Sequence, residues 1–188
     1  MEQKAITQEV RLWTRDFVVI TLISLFTFIG FQMLLPTLPV YARHLGGSDT
    51  AAGLVVGIFT FSAVIIRPFT GHFLDVYGRK GILLVGLLIF TASVLAYIWS
   101  PSLLILLVFR FIHGFGWGLT STASSTVATD VIPKSRLGEG MGYYGLSGTI
   151  SMALAPALGL YIIKYFNFNV MFLLSAGMLT LAIILALT

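Results

Sequence analysis

Arg67-Pro68-Phe69-Thr70-Gly71-His72-Phe73-Leu74-Asp75-Val76-Tyr77-Gly78-Arg79-Lys80 is a short charged connection between two long apolar runs, one ending near Thr70 and the next opening at Gly81. Runs of that length are far longer than the roughly 10 residues a membrane barrel strand needs, so they read as helices. In lipid each such segment must satisfy its own backbone polar groups, which a helix does within itself. The connector carries Arg67, Arg79 and Lys80, the kind of basic flank that anchors a span at a bilayer surface.

Working outward from this connector, the same alternation covers the chain. Six spans are read near Phe17–Tyr41, Ala51–Thr70, Gly81–Trp99, Ser102–Ser125, Met141–Tyr165 and Val170–Thr188, which gives an all-α, polytopic membrane helix bundle over residues 17–188 behind an arm at 1–16. The first span, as a helix, is about 38 Å long and crosses a hydrocarbon core of roughly 30 Å with some tilt. Gly46-Gly47 and Pro101 mark turns at one end, and Pro133 with Lys134 and Arg136 marks a turn at the other.

Composition points the same way. Apolar residues make up 57% of the chain, charged residues 10%, and mean hydropathy is +0.98. Soluble domains carry about a quarter charged residues, so this chain cannot cover a globule with polar groups, and the lipid bilayer is its expected surrounding. A net charge of +4 does not signal nucleic acid, because the basic residues sit in connectors and form no stripe. Cysteine is absent, and His44, His72 and His113 fall in separate segments without ligand spacing, so no metal or other cofactor is expected. No paired acids or nucleophile–base set accompanies the spans, which argues against an enzyme. The apolar run after Asp16 is too long for a cleavable signal and is read as the retained first span.

Basic residues set the expected orientation. Lys4, Arg11, Arg15, Arg67, Arg79, Lys80, Lys134 and Arg136 fall on one side, only Arg43 and Lys164 on the other, and Arg110 lies within a span. The excess places both termini in the cytoplasm of a multi-pass protein of the cell membrane. The last span runs to Leu187-Thr188 without a basic flank, and the chain is therefore read as truncated before a second six-span half.

Arg110 stands about 12 Å along its span, too deep for easy snorkelling. Insertion there costs about 2.5–3.5 kcal/mol, so the side chain needs a polar cavity or a partner, or else backbone carbonyls to hold it. Arg110, His113, Trp117 and Ser121 share one helical face, and Gly114, Gly118 and Thr122 form a small-residue stripe beside it. In the connector, Gly71 and Gly78 permit a tight turn, and Asp75 is placed to face a helix N-terminus or a cation. Asp130 is either a partner of Arg79 or Arg67 or simply solvated. Pro36 and Pro39, after Gly30, bend the first span, and Gly142, Pro156 and Gly159 serve bending and packing in the fifth.

Four of these groups resemble known signatures. Gly71-x-x-x-Asp75-x-x-Gly78-Arg79-Lys80 resembles the loop signature of the major facilitator superfamily, with Val76 where the family usually has arginine. Arg110-x-x-His113-Gly114-x-Gly116 resembles the span-4 signature of that superfamily's drug:proton antiporters, with His113 in place of glutamine. Ile29-Gly30-x5-Pro36-x-Leu38-Pro39 and Gly142-x8-Ser151-x3-Ala155-Pro156-x-x-Gly159 resemble their span-1 and span-5 patterns, the latter with Ser151, Ala155 and Leu160 standing for glycines.

The resemblance implies a twelve-span, secondary active transporter of which this is the N-terminal half. The halves would enclose a cavity near the midplane and rock around it. It implies proton-coupled efflux of a small amphipathic molecule, with the proton as coupling ion, Arg110 and His113 as coupling candidates, and Phe28, Gln32, Trp117 and Ser121 as cavity contacts. The hairpin of Gly71, Asp75, Gly78, Arg79 and Lys80, with Asp130, would then be a gate clasp. A neutral, hydrogen-bonded His113 and a proton-carrying one both remain open at this point. Alternatives are a half-size chain that assembles with another half, a carrier of a sugar-like or siderophore-like metabolite, and a non-transporting scaffold. No trace of a three-plus-three repeat is visible in the half itself.

Overall fold

The computed structural model describes residues 11–188; Lys4 and the rest of the first ten residues lie outside the described part. Six α-helices follow one another: α1 (Arg15–His44), α2 (Asp49–Tyr77), α3 (Arg79–Ala96), α4 (Leu103–Val131), α5 (Leu137–Tyr165) and α6 (Phe168–Leu187). Single 3₁₀ turns at Tyr97–Trp99 and Lys134–Arg136 close α3 and lead into α5. No strand occurs among the described residues. All six helices are long and apolar enough to cross a membrane, as the all-α reading requires.

Local chemistry sets the helix starts. Thr14, Ser48 and Asn167 each accept a hydrogen bond from the amide three residues on, at 3.2, 3.3 and 2.9 Å, opening α1, α2 and α6. Gly46 and Gly78 have φ of +82°, the left-handed region that glycine enters without a Cβ penalty, and they make the two tightest turns. Several helices outrun the apolar stretches. α2 continues seven residues beyond Thr70, because helical hydrogen bonding needs no apolar side chain once the segment reaches the polar surface.

That extension corrects one expectation. Gly71 is not part of a turn. It lies inside α2, exposed, with nothing within 4 Å of where a Cβ would stand. The turn is Gly78 alone, and Asp75 belongs to the last turn of α2.

α1 packs chiefly on α5 and α6, and α4 packs in the same way on α2 and α3. Exchanging the first three helices for the last three preserves this contact pattern, so the three-plus-three relation is present in space although the sequence does not display it. Close approach depends on small residues. A Cβ on Gly159 would meet the Met33 carbonyl at 2.6 Å, and one on Gly30 would meet the Ser175 carbonyl at 3.1 Å. Gly114 presses on the Phe59 carbonyl and Ser62 hydroxyl, and Gly118 on Ile66 and Ala63. Gly142 departs from expectation: it packs on nothing within 4 Å and is exposed. Pro36, Pro39 and Pro156 all sit within continuous helices, with the Thr37 hydroxyl donating to the Met33 carbonyl at 2.8 Å beside the first two.

Two apolar clusters fill the interior. One, around Phe17, Ile20, Ile23, Leu83, Leu87 and Leu119, lies toward the end bearing Arg79 and Lys80, the basic end. The other, around Leu34, Leu38, Phe59, Phe90, Tyr97, Trp117 and Phe172, lies toward the opposite end. α2 and α5 are the least covered helices and expose Leu54, Phe61, Val64 and Phe69, and Leu146, Ile150, Met152 and Leu154 respectively.

Candidate functional site

Arg110 is 1% exposed in the middle of the helix bundle, and His113, one turn on, is fully buried. Glycines 114, 116 and 118 bring α4 close to both α2 and α3, so the side chains on its polar face are sealed by neighbours. Arg110 Nε donates to the Val55 carbonyl of α2 at 2.9 Å, and Nη1 donates to His113 Nδ1 at 3.3 Å. The guanidinium carbon lies 4.3 Å from the Phe59 ring centroid, within cation–π range. Among the described residues no carboxylate reaches ion-pair distance of Arg110. Its positive charge is therefore held by a backbone dipole, an imidazole, the Tyr97 hydroxyl and a ring, and not by a counter-ion among the described residues.

His113 Nδ1 also lies 2.6 Å from the Tyr97 hydroxyl, which reaches it from the 3₁₀ turn after α3. The Phe90 and Phe59 ring centroids are 4.2 and 5.1 Å from that of His113, and its Nε2 has no hydrogen-bond partner. Tyr97 is tied in turn to α1, where the Tyr41 hydroxyl donates to its main-chain carbonyl at 3.4 Å. Four of the six helices thus meet at one polar knot.

Along α4 toward the basic end, aromatic groups follow. Trp117 stacks on Phe31 at 4.1 Å and meets Phe28 edge-on at 5.1 Å. Gln32 is buried beside this group and makes no hydrogen bond among the described residues. The hydroxyls of Ser121, Thr27 and Thr120 are likewise buried without partners among the described residues. One turn further, Ser24 bonds Ser147 at 2.7 Å and Ser124 bonds Tyr144 at 2.8 Å, joining α1 and α4 to α5. Of the cavity candidates, Phe28 and Trp117 meet across α1 and α4, with Gln32 and Ser121 each one turn further along its own helix. Phe28 is half-buried, and Gln32 and Trp117 are buried.

At the basic end Arg79 is the centre of the clasp. Its Nε pairs with Asp130 at 3.1 Å, and its Nη1 lies 3.6 Å from Asp75 and donates to the Leu74 carbonyl at 3.3 Å. The end of α2, the start of α3 and the end of α4 are joined by this one side chain. Lys80 bonds a carbonyl, that of Leu187, at 3.1 Å. Beyond Asp130, Arg136 and Glu139 make their own pair at 2.7 Å. At the other end Arg43 and Asp49 pair at 3.0 Å across the Gly46 turn.

Sequence reasoning missed Tyr97, Val55, Phe59, Phe90 and Phe31. Tyr97 left one usable signal, a lone phenol at the end of an apolar run. The others are ordinary apolar positions whose roles come from helix rotation alone.

The model of the family described as the Major Facilitator Superfamily matches residues 20–188. The chain belongs to that superfamily. It is 30% identical over 132 residues to the quinolone resistance protein NorA of Staphylococcus aureus strain MRSA252, covering 70% of this chain and 34% of NorA. It is 29% identical over 146 residues to an uncharacterized MFS-type transporter of Methanocaldococcus jannaschii, covering 77% of this chain and 38% of that protein. The matched stretch spans little more than a third of these curated relatives. The six helices fit the N-terminal half of the superfamily fold, as the four motifs implied.

Proposed function

We propose that the protein is a secondary active transporter that couples inward proton flow to efflux of a small amphipathic molecule. Arg110 carries this reading. An arginine buried inside a membrane helix bundle, with no carboxylate partner among the described residues, retains a charge that other groups can attract, and intramembrane charges of this kind mark pathways. Such an attraction, present in one conformation and absent in the other, biases two states of an alternating-access cycle. The similarity to NorA, named for quinolone resistance, supports export. The Phe28–Phe31–Trp117 group, with unpartnered Gln32 and Ser121 nearby, suits a substrate recognised by apolar surface and a few polar contacts.

The exposed apolar faces of α2 and α5 suit a second six-helix bundle, supplied by a C-terminal half or by another half-size chain. The excess of Lys and Arg at the basic end supports cytoplasmic termini in the cell membrane. There the Arg79–Asp130–Asp75 clasp acts as the gate contact.

The deciding experiment is efflux driven by an imposed proton gradient in vesicles, for the full-length protein and Arg110→Ala. Gradient-dependent efflux in the parent and its loss in the variant is expected. Equal coupling in both removes Arg110 from the mechanism, and no gradient-driven flux in the parent removes proton coupling altogether.

A further inference from the structure

His113 Nδ1 has one lone pair and two neighbours aimed at it: the Tyr97 hydroxyl at 2.6 Å and Arg110 Nη1 at 3.3 Å. A guanidinium can only donate. A proton on Nδ1 would therefore point at another N–H, which leaves Nδ1 bare and assigns the ring proton to Nε2. Among the described residues no carboxylate faces the ring. Arg110 comes from α4 and Tyr97 from the 3₁₀ turn, while α1, α2 and α3 present Phe31, Phe59 and Phe90. Nothing among the described groups would stabilise a second positive charge beside Arg110.

We propose that His113 acts as an uncharged acceptor whose Nδ1 is shared by Tyr97 and Arg110, which makes Tyr97 a positioning residue that sets how firmly Arg110 is held. The short Tyr97 bond occupies most of the lone pair and leaves Arg110 the long, weak share. The arginine is then fastened through Nε to the Val55 carbonyl, and the Tyr97 hydroxyl acts on it directly as well as through His113. Its Nη1 side is free to turn toward an arriving anionic group without stranding the Nδ1 acceptor, which Tyr97 still fills, while the Nε2 proton stays unpartnered among the described residues. This assigns the travelling proton to a group other than His113. The tautomer stands on the geometry alone; its meaning for transport rests on the reading proposed above.

The chain has three histidines, so ¹⁵N-histidine labelling of the intact protein in nanodiscs resolves them, with His113→Gln assigning the signal. The expected His113 signature is a bare Nδ1 and a protonated Nε2, unchanged across roughly pH 5–8, where an unperturbed imidazole changes charge. Protonation of both nitrogens in that range, or a proton on Nδ1, overturns the proposal. In vesicles, His113→Gln, whose amide oxygen accepts the same donors, is expected to stay within about twofold of the parent, and His113→Leu to fall about tenfold. Tyr97→Phe, which returns the whole lone pair to Arg110, is expected to slow transport roughly fivefold with KM unchanged. Equal rates for the Gln and Leu variants, or an unchanged rate for Tyr97→Phe, overturn the positioning role. If the parent shows no gradient-driven flux, the proposed function falls by itself, and the labelling result still decides the tautomer.

Discussion

Gly116→Ala is a direct test of how closely α3 and α4 cross. The added methyl would stand 2.7 Å from the Phe90 amide nitrogen, 3.0 Å from its Cα and 3.1 Å from the Gly86 carbonyl oxygen. Ordinary contact begins near 3.4 Å, and the obstacles are backbone atoms, so no rotamer change relieves the clash. The helices must separate by about 0.7 Å, and a gap of roughly 0.5–1 Å forfeits a quarter to a half of the dispersion attraction of each contact along the crossing. Overpacking of this kind costs about 1–3 kcal/mol. The opposing gain from replacing a helical glycine stays below about 1 kcal/mol, since the segment remains helical in lipid even when the bundle loosens. A net loss of about 1–2 kcal/mol is expected in thermal unfolding of the intact protein in detergent. Gly142→Ala, where a Cβ meets nothing within 4 Å, is the matched control and is expected to be neutral or slightly stabilising. If the two variants unfold together, the α3–α4 crossing is looser than described and the sealing of Arg110 loses its basis.

Arg110→Met removes a buried charge whose insertion costs about 2.5–3.5 kcal/mol, against the loss of a charged hydrogen bond to Val55 of about 1.5–3 kcal/mol, a longer one to His113 of about 0.5–1.5 kcal/mol and a cation–π contact of about 2 kcal/mol. Unfolding is therefore expected to shift by no more than about 4 kcal/mol while gradient-driven transport disappears; larger destabilisation with transport intact would make Arg110 a strut. Ser175→Ala, which deletes the 2.8 Å bond to the Gly30 carbonyl, is expected to cost about 0.6–1.7 kcal/mol by calorimetry, and no change would deny the α1–α6 bond any weight. Asp130→Asn breaks a half-exposed pair, so its penalty should stay under about 1 kcal/mol at low salt and vanish at high salt; a salt-independent penalty would show that the pair is shielded. Gly71→Ala should express and transport like the parent, and a severe loss in either would mean that another surface bears on this glycine.

Much of the architecture is readable before any coordinates, because hydropathy and basic flanks report directly on what lipid tolerates. Six helices, the basic end and the isolated depth of Arg110 follow from those two signals. The sequence leaves Asp130 open between Arg79, Arg67 and plain solvation, and only the geometry pairs it with Arg79, because the two lie far apart along the chain. Gly71 was misread because two glycines around a carboxylate imitate a turn, whereas only a backbone torsion separates Gly78, at φ +82°, from a helical glycine. Gly142 was read as packing because composition cannot tell which side of a helix meets a neighbour. Tyr97 and Phe59 escaped notice for the same reason: a phenol and a phenyl ring on apolar helices become polar-site residues only once rotation aims them at His113 and Arg110.

Gly78 is the single non-helical residue between α2 and α3, and the Arg79 beside it grips α4 through Asp130. In an elbow this short, only the Gly78 torsions can take up a swing of the α2 terminus. Whatever they do not take up passes to α3 as rotation and, through Arg79 and Asp130, to α4, the helix that bears Arg110. Leverage applied at the basic end thus reaches the buried cation along one helix, by way of a linkage one residue long.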